Sequence, residues 1–192
     1  MIIDWIQSLD ETITLFINSF YNKPWDHIWQ FFSLKETWFP LYAIVLFYLV
    51  RRLGWKKGLV MAVSLAATIL ICDQLANTLK TLVGRLRPCY SVDMLTGGLH
   101  ILESRTGFYG FFSAHTANAF GFAVASISAF KLDDKHSYEM YSWFMYFWAT
   151  MIGLSRIFAG KHFFGDVLVG VIVGLIVGWC LAKAARMLTD RI

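Results

Sequence analysis

The stretch FGDVLVGVIVGLIVGWCLAKAA, residues 164–185, decides the fold. Between Asp166 and Lys183 it holds no charge, and its length matches the ~20 apolar residues that a helix needs to cross a bilayer. Gly165, Gly170, Gly174 and Gly178 run down one side. Small residues at this spacing let two helices approach closely in lipid. The stretch therefore predicts a membrane helix packed tightly against a neighbour.

Four further apolar segments precede it, at residues 38–50, 58–79, 111–130 and 141–157. A long loop, residues 83–110, separates the second from the third. Composition agrees with this pattern. Of 192 residues 57% are hydrophobic and only 16% charged, against about 45–50% and 25% in ordinary soluble domains. The 8 Trp and 8 Tyr fit anchoring at membrane interfaces. The expected fold is an all-α membrane protein, a bundle of five to six transmembrane helices in one domain over residues 1–192.

Residues 1–36 are expected to be an interfacial segment. In IIDWIQSLDETITLFINSFY, residues 2–21, Ile2, Trp5, Ile6, Leu9, Ile13, Phe16, Ile17 and Phe20 recur at helical spacing. Asp4, Gln7, Asp10, Glu11 and Thr14 take the other face. Such an N-terminal amphipathic helix is expected to lie on the membrane, because its polar face is too rich to meet lipid. If it crosses, the spans number six. No basic region followed by an apolar stretch suggests a cleavable signal.

Arg51, Arg52, Lys56 and Lys57 fall between the first two spans, and Lys183, Arg186 and Arg191 lie at the far end of the last. Five spans put both groups on one side, which the positive-inside rule makes cytoplasmic. The opposite side receives the remaining polar residues. Lys80, Arg85 and Arg87 follow the second span, Ser113 and His115 open the third, Ser155 and Arg156 close the fourth, and His162 and Asp166 open the fifth.

Ionisable residues at membrane depth default to functional hypotheses. Three fixed cations, Lys80, Arg87 and Arg156, suit the oxygens of a phosphate. Backbone N–H groups at Ala114 and His115, opening a helix, would add donors aimed at an anion. His162 and Asp166 are four apart and share a helix face. A carboxylate on one ring nitrogen leaves the other free to attack. His115 is placed to protonate the leaving oxygen and later to activate water.

The chain here resembles the type 2 phosphatidic acid phosphatase (PAP2) superfamily, whose signatures are K-x6-R-P, P-S-G-H and S-R-x5-H-x3-D. KTLVGRLRP, from Lys80 to Pro88, matches the first in full. SRIFAGKHFFGD, from Ser155 to Asp166, matches the third in full. The second is partial, Phe112-Ser113-Ala114-His115, with Phe for Pro and Ala for Gly. The resemblance implies a two-step phosphatase that uses no metal and no cofactor. Lys80, Arg87 and Arg156 would hold the phosphoryl oxygens with the help of Ser113. His162 would attack with Asp166 behind it, and His115 would act as acid and then base. It also implies a phosphorylated membrane lipid as substrate, with undecaprenyl diphosphate the first choice and phosphatidylglycerol phosphate, phosphatidic acid and lipid A phosphates the alternatives.

The expected location is a bacterial cytoplasmic (inner) membrane, multi-pass, with the site facing the periplasm or exterior. A net charge of +4, dispersed along the chain, gives no reason to expect nucleic acid as a partner. The rival from another class is an anionic-lipid transporter that uses the cations only for binding. It has no need of the His162–Asp166 pair with His115. A His–Asp metal site is disfavoured by the neighbouring cations. Arg85, Arg105 and Lys161 are expected at the interface or in contact with lipid. His27, His100 and His136 carry no motif. Asp73 and Asn77 are expected to make hydrogen bonds between helices. Phe108 and Tyr109 are candidates for the wall of a lipid entrance.

Overall fold

The structure, a computed structural model, describes residues 2–192, with side chains from Asp4 onward. Its regular elements are seven α-helices and two short 3-10 turns. They are α1 (Ile2–Asn18), α2 (Lys23–Ser33), α3 (Phe39–Val83), α4 (Val92–Thr96), α5 (Ala114–Phe130), α6 (Glu139–Phe158) and α7 (Phe164–Thr189). No strand occurs among the described residues beyond a single bridged pair, Leu86 with Tyr109.

Helix α3 is two helices. Gly54 interrupts it with φ +79°, a conformation that residues bearing a Cβ rarely adopt. A Cβ built on Gly58 would lie 2.7 Å from Val50 Cα. Eight residues advance about 12 Å along a straight helix, so the chain folds back at Gly54. The expected loop between the first two apolar segments is thus one residue. Arg51, Arg52, Lys56 and Lys57 sit on helical turns at either side of it. By length and composition, the segment Glu36–Val83 and helix Phe164–Thr189 are each apolar enough to cross a membrane.

The small residues of α5 put it at the centre of the bundle. Ala117, Ala119, Gly121, Ala123, Ala125 and Ala129 are all buried. The glycines of α7 meet them backbone to backbone. A Cβ on Gly170, Gly174 or Gly178 would fall 2.8, 2.4 and 2.5 Å from the carbonyl oxygens of Ser113, Ala117 and Gly121. The outer surface is apolar instead, with Leu70, Trp143, Phe147, Ile172, Ile176 and Trp179 exposed. The bundle is small-residue inside and large-apolar outside, as dispersion-driven packing in lipid favours.

Helix α1 turns part of its polar face toward the bundle. Thr14 and Asn18 are buried and Asp10 is largely so, whereas Trp5, Ile6, Leu9, Phe16 and Phe20 are exposed. The stripe Asp10–Thr14–Asn18 faces the bundle because the turn between α6 and α7 has groups to satisfy. Thr14 Oγ1 accepts from Phe164 N–H at 3.0 Å, and Asp10 Oδ1 accepts from Gly165 N–H at 2.7 Å. Asn18 Nδ2 donates to Ile157 O and His100 O at 3.0 Å. The N-terminal residue before α7 is Phe163, which has no oxygen with which to cap it. Side chains of α1 supply that cap from outside the helix, satisfying donors that would otherwise be orphaned.

Gly174→Val tests the close approach of α5 and α7. Its branched side chain would enter the Ala117 carbonyl. We expect at least about 1–3 kcal/mol of destabilisation, read as a fall of roughly 3–10 °C in the unfolding midpoint of the purified protein. Ile176→Val, on the exposed face, should leave the midpoint within about a degree.

Candidate active site

Lys80 sits in the last turn of α3, and Gly84 ends that helix with its N–H bonded to Lys80 O. The chain then runs antiparallel to residues 108–110. Arg87 N–H donates to Phe108 O and Gly110 N–H to Arg85 O, both at 2.9 Å. This clip fixes Arg85 and Arg87, whose own Nε donates to Tyr109 O at 3.1 Å. A Cβ on Gly110 would lie 3.1 Å from Asp166 Oδ2 and 3.2 Å from Arg87 Cγ, so a side chain here would press on both residues.

Ser113 caps α5. Its Oγ accepts from Thr116 N–H at 3.4 Å and from Thr116 Oγ1 at 2.9 Å. Ala114 and His115 are therefore the first two residues of α5, with N–H groups ahead of the intrahelical bonds. The same corner is tied to α7, because Ser113 N–H donates to Asp166 O at 3.1 Å. The departures from the family pattern fall here without opening the corner: Phe112 is fully buried and Ala114 nearly so.

Arg156 lies in the last turn of α6. A tight turn through Gly160 brings the N–H of His162 within 3.3 Å of Arg156 O. His162 is buried, with Nδ1 3.5 Å from Asp166 Oδ2. That distance is long for a hydrogen bond, and Nδ1 has no closer partner. Apo catalytic bonds are often this loose and tighten when substrate binds. Burial pushes the His162 imidazole down to about 4. The Asp166 carboxylate opposes that shift, while the Arg156 and Arg87 charges add to it. At neutral pH the ring is uncharged, the state a nucleophile requires.

All eight sequence-predicted residues, Lys80, Arg87, Ser113, Ala114, His115, Arg156, His162 and Asp166, gather at the same end of the bundle. The charges of Arg156, Lys35 and Lys80 bear on His115, and those of Arg87, Lys35 and Arg156 bear on Lys80. A cavity of about 250 Å³ opens beside His115. Its wall is Phe32, Trp38, Phe39, Tyr42, Ile69 and Ile152, with Lys35 and Asp73 the charged members. Phe108 and Tyr109 are not part of that wall. Phe108 packs on Tyr90 instead, with ring centroids 4.8 Å apart. Asp73 makes the expected interhelical bond, accepting from Asn118 Nδ2 at 2.9 Å.

Several residues here have roles that the sequence did not disclose. Arg85, expected at the interface, donates to Asp166 Oδ1 at 2.9 Å and to Asp10 Oδ2 at 2.6 Å. Lys161, expected in contact with lipid, is buried and donates to Ser104 O and to Thr106 Oγ1. Glu103 pairs with Arg156 at 3.2 Å, and Ser33 bonds to both. None of these contacts is local in sequence. The one available signal was the recurrence of Arg85 two residues before Arg87. No group of three His, Cys, Asp or Glu side chains able to hold a metal ion occurs among the described residues.

Comparison with known proteins gives a consistent picture. Residues 57–190 match the family model described as PAP2 superfamily. A lipid A 4'-phosphatase of Bacteroides thetaiotaomicron is 34% identical, over 99% of this chain and 83% of that protein. A lipid A 4'-phosphatase of Porphyromonas gingivalis is 29% identical, over 94% of this chain and 74% of that one. Two crystal structures share the fold. Aquifex aeolicus LpxE superposes with a TM-score of 0.69 at 24% identity, covering 90% of this chain and 93% of that one. The PAP2-type phosphatidylglycerolphosphate phosphatase of Bacillus subtilis superposes with a TM-score of 0.71 at 20% identity, covering 95% and 87%.

Asp166→Asn tests the electrostatics of the pair. In the native chain Asp166 raises the basicity of His162 against burial. Removing its charge should lower the imidazole pKa further below about 4, measured by NMR of labelled histidine. It should also lower kcat by roughly 10²–10⁴-fold, the scale seen when a histidine loses its orienting carboxylate. An upward pKa shift would contradict the assignment.

Proposed function

Because the chain belongs to the PAP2 superfamily of membrane lipid phosphatases, we propose that it removes a phosphate from a lipid A-type glycolipid through a phosphohistidine intermediate. The observation that carries the chemistry is the buried, neutral His162 backed by Asp166 beside Arg156 and Arg87. The distal ring nitrogen of His162 attacks phosphorus while Asp166 takes the charge growing on Nδ1. Lys80, Arg87, Arg156, the Ser113 hydroxyl and the N–H groups at Ala114 and His115 hold the phosphoryl oxygens. Preorganised donors of this kind stabilise the transition state most. His115 protonates the leaving oxygen. It then removes a proton from the water that splits the phosphohistidine.

Among the lipid phosphates that the sequence leaves open, the relatives favour lipid A over undecaprenyl diphosphate. Both curated relatives carry the lipid A 4'-phosphatase name, and the first aligns over nearly the whole chain. The cavity beside His115 fits that reading, since the general acid faces the leaving group. Its aromatic wall with Lys35 and Asp73 offers apolar and polar contacts together.

In the bilayer, residues 39–53 and 55–83, α5, α6 and α7 make five spans. Helices α1 and α2 lie in the interface, with Trp5, Phe16, Phe20, Trp25 and Phe31 toward lipid. The basic residues at the Gly54 turn and at the end of α7 mark the cytoplasmic side, which leaves the site on the periplasmic side.

The test is phosphate release from purified lipid A, undecaprenyl diphosphate, phosphatidylglycerol phosphate and phosphatidic acid, with a chelator present throughout. We expect lipid A to be turned over fastest and chelator to have no effect. His162→Ala should lose at least about 10³-fold in kcat while keeping its unfolding midpoint. Preference for another lipid would replace the substrate, loss with chelator would overturn the metal-free chemistry, and turnover by His162→Ala would remove the nucleophile.

A further inference from the structure

Helix α1 does more at this site than fill the interface. Its Asp10 reaches two groups at once, accepting from Gly165 N–H with Oδ1 and from Arg85 Nη2 with Oδ2. The other terminal nitrogen of Arg85 donates to Asp166 Oδ1. One guanidinium thus spans two carboxylates, one on α1 and one on α7, and its plane lies over the Phe163 ring, 3.9 Å from the centroid. Phe163 is the neighbour of His162 in the chain.

Asp166 is fully buried, so its charge must be met in the protein. Its Oδ2 accepts from Phe163 N–H at 3.1 Å and faces His162 Nδ1. Its Oδ1 is held by Arg85. That division fixes which carboxylate edge His162 sees. A planar fork holding both carboxylates prevents the carboxyl group from rotating. Asp10 in turn keeps Arg85 from turning to solvent, since it supplies the second anchor and the countercharge.

We propose that Asp10 and Arg85 are positioning residues for the nucleophile, so that the N-terminal helix is a working part of the His162–Asp166 pair. The chain of contacts runs Asp10, Arg85, Asp166, His162, and only the last of these touches phosphorus. Rests of other kinds on α1 are separable from it. Asn18 binds carbonyls of Ile157, Phe158 and His100, none of them on the carboxylate.

The inference rests on His162 being the nucleophile, and the variants separate the two ideas. In bilayer discs, with the best lipid phosphate of the panel, kcat and KM are measured for Asp10→Asn, Arg85→Ala, Arg85→Lys, Asn18→Ala and His162→Ala. Asp10→Asn keeps an oxygen for Gly165 N–H but removes the charge. We expect kcat to fall about tenfold for Asp10→Asn and about 10²-fold for Arg85→Ala, the scale of a misplaced reacting group, with KM within about threefold. Arg85→Lys keeps the charge without the fork and should fall between Arg85→Ala and the native chain. Asn18→Ala should lower the unfolding midpoint yet keep kcat within about twofold, because it loosens α1 without touching the bridge.

Native kcat in folded Asp10→Asn and Arg85→Ala would overturn the proposal while leaving His162 as nucleophile. So would a loss in Asn18→Ala as large as that in Asp10→Asn, which would reduce α1 to a structural part. If Arg85→Ala does not fold, Asp10→Asn and Arg85→Lys decide alone. Full activity in His162→Ala would overturn this inference together with the reading beneath it.

Discussion

A carboxylate with no exposed surface cannot stay charged unless the protein surrounds it with donors. Asp166 is such a group, and the end of the bundle that carries the site is organised around it. Arg85 comes from the loop after α3, the Phe163 N–H from the turn before α7, and His162 from the same turn. Asp10 enters from α1 to complete the pairing of Arg85. Meeting one buried charge therefore fixes α1, the loop after α3 and the start of α7 relative to one another. His162, the proposed nucleophile, is positioned as a consequence.

The second constraint is the distance between the two histidines, which lie 47 residues apart in sequence (162 − 115) and which the proposed mechanism brings to one phosphorus atom. Lipid tails are as apolar as leucine, so hydrophobicity alone does not hold membrane helices together. Backbone proximity does. The glycine ladder of α7 lies against the carbonyls of Ser113, Ala117 and Gly121, and the Ser113 N–H bonds to Asp166 O. The start of α5 and the start of α7 are thereby one rigid corner. His115 rides on one side of it and His162 on the other.

What the sequence disclosed follows from what is periodic or contiguous. The four-residue spacing of His162 and Asp166, the glycine ladder and the motif residues all depend on short spacing, and each pairing reappears in the structure, although His162 sits in the turn before α7 and not on the helix face expected for it. Partners of charged residues do not depend on spacing. Arg85 reaches Asp166 across 81 residues, Lys161 reaches Ser104 across 57 and Glu103 reaches Arg156 across 53, which no local pattern encodes. Helix α1 shows a different limit. Its amphipathic period is plain, but period alone does not say which face turns inward. In water the apolar face would be buried. Beside lipid, the stripe Asp10–Thr14–Asn18 is the one that turns toward the protein, because unsatisfied N–H and C=O groups at the α6–α7 turn are costlier than exposed leucine. Gly54 escaped for a simpler reason: a reversal made by one residue leaves no loop in the sequence to see.

The cations of the site pose the converse problem to Asp166. Arg156 is buried and has to be neutralised even when no phosphate is bound. Glu103 and Ser33 do this, from the long loop and the end of α2. In the proposed reaction, a phosphate arriving at Arg156 would exchange one oxyanion for another, which costs less than baring a guanidinium in a poorly hydrated pocket. The carboxylate of Asp166 is not exchanged in this way, since Arg85 holds it from the side away from His162. Glu103 and Asp166 thus have opposite characters. Glu103, on a loop and partly exposed, can yield its partner to the ligand. Asp166, buried and bonded on both oxygens, stays in place through the reaction. The proposed mechanism, which binds one anion and keeps a fixed anion behind its nucleophile, requires that asymmetry.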